Sequence, residues 1–197
     1  MSDNPSTEQT TQAIRTAFGG EDPSRAGTIS KEQVLQWMRS PDLTVRGCVY
    51  EMIAEPERAQ HVKPPLEFED YYDFVVPYLE QCIEEDPDLE WAESRYLAGH
   101  ALVAWIVDFW NHKSVPRKRI AEIKKRLVAL YKRGDADVRD AVVNAVLEHL
   151  FEHRELAEYF KDWQADPILA RAYHDALLWT KYSPRARSEQ SDRSSGP

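Results

Sequence analysis

Glycine is scarce, with 7 residues in a chain of 197. Loops that cradle phosphate and the tight turns of hairpins both depend on glycine. Nucleotide-binding loops and a sheet built of hairpins are therefore disfavoured. Cysteine is scarcer still. Cys48 and Cys82 are two thiols, too few for a disulfide framework. Both fall in partly apolar helical patterns, where a free thiol packs as a small apolar group. No stretch holds the ~20 apolar residues that cross a bilayer. The opening MSDNPSTEQTTQ lacks the apolar core of a secretory signal. Sustained period-two alternation is also missing, so no sheet is required. These absences point to a cytoplasmic, helical chain without a membrane partner.

What the chain does have is concentrated in one stretch, Tyr96 to Trp110, reading YLAGHALVAWIVDFW. From Ala101 onward Asp108 alone breaks the apolar run. A helix that is apolar nearly all round must be covered on several sides, and Trp105, Phe109 and Trp110 are large enough to dominate a core. This is read as a central helix of about 87–112, opened by Asp86-Pro87.

Other helices are marked by their ends. Ser6 caps one through Phe18, and Ser30 with Gln33 forms a capping box for a second. Ser40-Pro41 opens a third, carrying Val45, Val49, Met52 and Ile53. A proline-rich linker follows, then a helix from about Glu67 to Glu85, where Pro77 predicts a kink or break. Ser114 and Pro116 begin a helix stopped by Gly134. Asp135 or Asp137 caps one through His153, a short helix spans about Leu156 to Trp163, and Asp166-Pro167 opens the last. The domain reading is a flexible tail over 1–5 and one all-helical domain over 6–183. Any sub-boundary would fall in the 54–66 linker, and the polar tail over 184–197 is read as disordered.

Two helices share a pattern: Asp42, Val45, Arg46, Val49, Ile53 and Asp135, Val138, Arg139, Val142, Val146. The acid suits the positive end of the helix dipole and the apolar residues share one face. The helix at Asp166 gives a partial third copy, with Ala170 in place of the arginine. The Asp-x-x-Val-Arg core resembles the second helix of HEAT-type repeats, which implies a binding scaffold, with each arginine beside an acid. The fold class is thus all-α, an irregular helical bundle or a short HEAT-like solenoid around the central helix.

Three constellations could carry chemistry. His149-Leu150-Phe151-Glu152-His153 matches H-x-x-E-H, the inverted zinc-protease signature, in which two histidines on one helical face grip zinc and Glu152 acts as base. The downstream acidic ligand of that family has no clear counterpart, so no cofactor is expected. His100 and Asp108 lie on similar sides of the central helix, where a buried histidine and acid could mark a pocket. The third feature is charge segregation. Eleven acids stand against one base between Leu66 and Arg95, and nine bases against one acid between Lys113 and Arg133. The basic helix could contact nucleic acid, but the net charge of −9 opposes it. Alternatively the two runs pair with each other. The acids Glu67, Glu69, Asp70, Asp73, Glu80 and Glu84 are the expected binding face for a basic protein partner. A compact acidic helical chain of this kind, with the stretch AVVNAVLEHLFEHRELAEYF, is similar to the small immunity proteins of bacterial toxin systems. That resemblance implies a non-enzymatic inhibitor of a basic toxin domain.

Overall fold

The computed structural model describes residues 6–112 and 115–182. The expected tails at 1–5 and 184–197 lie outside the described residues, as do Lys113 and Ser114. Among the described residues the chain is all-α apart from one two-residue ladder. It divides into two compact units, Met1–Cys82 with Asp86–Ser94, and Ile83–Glu85 with Arg95–Pro197. The 54–66 stretch lies inside the first unit.

The first unit holds α1 (Thr7–Ala17), β1 (Ile29–Ser30), α2 (Lys31–Met38), α3 (Leu43–Ala54), α4 (Pro56–Ala59), β2 (Val62–Lys63) and most of α5 (Phe68–Glu85). Ser6 caps α1 reciprocally: its hydroxyl accepts from the Gln9 N–H, and the Gln9 side chain accepts from the Ser6 N–H. Ser30 makes no such bond, because its backbone is drawn into the parallel ladder with Lys63. The helix expected at Ser40-Pro41 starts at Leu43 instead. Asp42 is the cap, accepting from the Thr44 and Val45 N–H groups, and Thr7 donates to its carboxylate. The proline-rich linker is not loose. It carries α4 and β2, and the buried Arg58 donates to the Phe18 and Gly20 carbonyls at 2.9 Å each. That bond set pins a turn in which Gly19 and Gly20 take positive φ, a conformation glycine adopts without steric cost.

α5 runs unbroken through Pro77. The hydrogen bond that proline removes would go to Asp73, on the exposed side of the helix. α5 packs on α3 through Tyr50 and Tyr78, ring centroids 5.1 Å apart. Gly47 lets the following loop approach α3. A Cβ there would lie 2.3 Å from the Trp91 carbonyl oxygen. Cys48 and Cys82 are buried, and burial pushes their thiols up to about 12 and about 11.

The second unit holds the last turn of α5, α6 (Arg95–Asn111), α7 (Arg117–Arg133), α8 (Ala136–Ala141), a π-helical segment (Val142–Leu147), α9 (Glu148–Phe151), α10 (Arg154–Tyr159) and α11 (Pro167–Tyr182). The central helix is α6, and it begins eight residues later than Asp86-Pro87 implies. Asp86 instead ends α5 in the left-handed region, with φ 48°. α6 is also less enclosed than its composition predicts. Leu102, Ile106 and Phe109 are buried, but Tyr96 and Leu97 are 47% and 58% exposed, and His100, Ala104 and Asp108 continue that open stripe. Trp105 and Trp110 are only partly buried. The aromatic core lies further on, where Phe151 meets Tyr173 at 5.0 Å and Phe160 meets Trp163 at 5.4 Å. The stripe of α7 is buried as its spacing predicts, at Ile120, Ile123, Leu127, Leu130 and Tyr131. Each fully buried Leu or Ile contributes about 1.5–3 kcal/mol.

Val45, Val49, Val138 and Val142 are all buried, and Asp135 caps α8 by accepting from the Val138 N–H at 2.9 Å. The two arginines depart from the expected pairing with acids. Arg46 donates to the Gln81 side chain at 2.5 Å. Arg139 donates to the Tyr131 and Lys132 carbonyls at 3.0 and 3.3 Å, closing the end of α7, where helical carbonyls lack partners.

Candidate functional site

The acidic run does not form one free face. Asp70 accepts from the Glu67 N–H at 2.7 Å and pairs with Lys31 at 2.5 Å. Glu80 is buried and so is withdrawn from any exposed surface. Glu84 receives both Nε and Nη2 of Arg133, at 2.8 and 2.7 Å. These hydrogen bonds hold its carboxyl below the ordinary range. Glu67, Glu69 and Asp73 are exposed. The exposed acids continue through Glu85 at the end of α5 and past the helix through Asp86, Asp88 and Glu90, around a Leu89 that is 48% exposed. The larger fact is how charge divides between the units. The first has 18 acids against 7 bases, a net −11, and the second 16 acids against 18 bases, a net +2.

The basic helix α7 is largely engaged within its own unit. Lys124 donates to the Asp162 carboxylate and to the Tyr159 carbonyl. Lys132 pairs with Asp166 at 2.5 Å, Arg133 with Glu84, and Arg119 with Glu122 at 2.9 Å. Arg117 stacks on Trp110, 3.9 Å from the ring centre. A helix with Arg119, Lys124, Lys132 and Arg133 already held by carboxylates offers a weaker field to phosphates.

The two histidine constellations of the sequence meet in one groove. Its volume is about 560 Å³, and His100, Val103, Ala104, Val107, Asp108, Asn111, His149 and His153 line it. His100 and His149 touch edge-on, ring centroids 4.7 Å apart. Gly99, beside His100, makes this possible: a Cβ there would lie 2.6 Å from the Ala145 Cβ. The π-helical segment also contributes. A π turn closes its bond one residue later than an α turn, so the side chains after it are re-aimed. His149 stands two residues beyond its end.

His100 and Asp108 are exposed, not buried as a pocket inside the apolar run would require. Partial burial first, and then the neighbouring His149, hold the His100 imidazole below its ordinary value. The zinc-protease geometry also fails. α9 ends at Phe151, and His153 has extended backbone, φ −93° and ψ 103°. His149 and His153 are therefore not on consecutive turns of one helix. Glu152 approaches His149 at 3.4 Å and is not placed between two metal-ligating rings. Among the described residues no group of three or more His, Cys, Asp or Glu side chains is placed to hold a metal ion.

No known family, curated protein or solved structure matches the chain. Among the described residues no helix is long and apolar enough to cross a membrane. Sequence reasoning found His100, Asp108, His149 and His153 separately but not together, since 49 residues separate the two that touch. It missed Asn111, and it did not single out Glu85, Asp86, Asp88 and Glu90 from the run of eleven acids, although all four are exposed.

Proposed function

We propose that the chain is a non-enzymatic protein-binding module, an immunity-type inhibitor that offers an acidic surface to the basic domain of a bacterial toxin. One observation supports this above the others: the first unit carries a net −11 while the second is near neutral. Concentrated charge of one sign destabilises a compact unit by self-repulsion. A basic partner would relieve that repulsion, and the field would steer its approach. Exposed Glu67, Glu69, Asp73, Asp88 and Glu90 supply the carboxylates, and Leu89 supplies an apolar contact among them. The repeated Asp-capped helices serve as a rigid scaffold of HEAT-like character.

The test is co-expression with the products of the genes that flank its own. The reading requires one of them to be toxic alone, to be basic, and to be neutralised by this chain in a stable complex. If every neighbour is harmless, or a toxic one is neutralised without physical association, the reading fails.

The ring contact of His100 with His149 favours a second reading, a helical ligand or metal protein centred on the groove. Its metal form requires stoichiometric zinc in the purified protein, lost in His149→Ala, against the finding that no three-ligand group stands there among the described residues. Unchanged melting under a chelator removes it.

A further inference from the structure

We propose that the groove along α6 receives a lysine or arginine side chain of a protein partner, with Asp108 as its counter-ion. The proposal rests on the protein-binding reading above and deepens it. It adds a specific contact on the second unit to the diffuse acidic field of the first.

The lining is sorted by chemistry. Val103, Ala104 and Val107 form an apolar floor, and His100, His149, Asp108, Asn111 and His153 form a polar rim. From His100 to Asp108 is eight residues, or about 12 Å along a helix at ~1.5 Å per residue. A long amphipathic side chain matches that plan, because Lys and Arg bury an apolar stem and keep the charged head at a polar end. An uncharged aliphatic side chain would leave the carboxylate unanswered, and an acidic one would be repelled by it.

Asp108 is the one acid among the described lining residues, and none of them is a lysine or arginine. Among the described residues its carboxylate has no hydrogen-bond or ion-pair partner. This contrasts with Asp70, Glu84, Asp162 and Asp166, each of which pairs with a lysine or arginine of its own unit. An exposed carboxylate over an apolar floor, beside an Asn111 amide oxygen able to accept a hydrogen bond, is a place where a partner's donors can take over from water. Arg and Lys supply donors and no acceptor, so the chemistry is complementary. At the other end His100 and His149 are held together by the glycine contact and the re-aimed π turn. They can hydrogen-bond the partner's backbone where its side chain enters. Fixing both ends on helices, not on a loop, is what a specific side-chain pocket requires.

The test uses the full chain and a small probe, so that it does not depend on finding the partner. N-acetyl-arginine amide is titrated at pH 8 while the imidazole signals of His100, His149 and His153 are followed by NMR. N-acetyl-citrulline amide, nearly isosteric but neutral, is the control. The expected result is a saturable shift of these signals with the arginine compound, at least tenfold weaker with citrulline and at least tenfold weaker in Asp108→Asn. Ala104→Phe, at an exposed position on the floor, should abolish the shift with Asp108 intact. Far-ultraviolet circular dichroism checks that both variants keep the helical fold. Equal shifts from the two probes, or unchanged binding in Asp108→Asn, would overturn the proposal. So would a one-to-one shift of His100 and His149 by zinc chloride with no response to the arginine compound, which would make the groove a metal site. Charge reversal in the first unit leaves this titration untouched, so failure of the acidic-surface reading and failure of the groove are seen separately.

Discussion

Substituting Gly99 with alanine sets two effects of opposite sign against each other. In a helix interior alanine is favoured over glycine by about 0.8–1 kcal/mol, so propensity alone predicts a gain. The structure predicts a loss. The new methyl would sit 2.6 Å from the Ala145 Cβ and 3.4 Å from a Val146 methyl, whereas apolar carbons rest at about 3.5–4.0 Å. Ala145 Cβ is fixed to its backbone and cannot swing aside, so α6 and the π-helical segment must separate by roughly 1 Å. Overpacking of this kind costs about 1–3 kcal/mol, and a contact between two backbone-anchored methyls belongs in the upper half of that range. The net is a loss of about 1–2 kcal/mol. For a chain of this size each kcal/mol moves the melting temperature by about 2–4 °C, so a fall of roughly 2–8 °C is expected in thermal unfolding followed at 222 nm. Two companions isolate the cause. Gly27→Ala, with nothing within 4 Å of the new methyl, should not fall. Ala145→Gly combined with Gly99→Ala should recover part of the loss, a non-additivity expected only of groups in contact. A melting temperature that rises in Gly99→Ala, or a double variant that is simply additive, would refute the packing of α6 on the π-helical segment.

Val142→Asp should prevent folding of the second unit, seen as lost helical signal, because it places an unpaired charge at a fully buried position. Asp42→Ala removes the cap of α3 together with its bond from Thr7. It should cost about 1 kcal/mol in urea unfolding. Lowering the pH should weaken the fold through His100, whose folded pKa is depressed by burial and by His149. The unfolded chain then binds a proton where the folded chain does not. The associated stability is whole above the ordinary histidine value of ~6.5 and is lost as pH falls through the lower folded value. Urea midpoints of His100→Gln should fall less steeply than wild type between pH 7 and 5.

Helix ends with a local chemical signal were legible: Ser6 at the start of α1, Pro116 and Gly134 around α7, and the Asp135 or Asp137 cap of α8, which falls to Asp135. Asp86-Pro87 misled because the same pair can open a helix or, with Asp86 left-handed, close the previous one. Local sequence does not distinguish the two. The break after Phe151 carries no glycine or proline. It is set by packing, as Phe151 turns into Tyr173 and Phe160. The π-helical segment is invisible to a periodicity of 3.6, and so therefore was the meeting of His149 with His100. The acidic run was legible as charge, but not its fate. Lys31 lies 39 residues from Asp70 and Arg133 lies 49 from Glu84, distances at which spacing carries no information.

The central claim is that the first unit acts through its charge. Its most direct test is the association rate with the captured toxin domain, measured against ionic strength for the wild type, for Asp88→Lys with Glu90→Lys, and for Asp140→Lys on the second unit. The wild-type rate should fall steeply as salt rises and the Debye length shortens through ~10 Å at 0.1 M. It should fall at least tenfold in the first-unit variant at low salt, with Asp140→Lys close to wild type and all three melting alike. An association rate indifferent to salt, or slowed equally by the second-unit reversal, would contradict the claim.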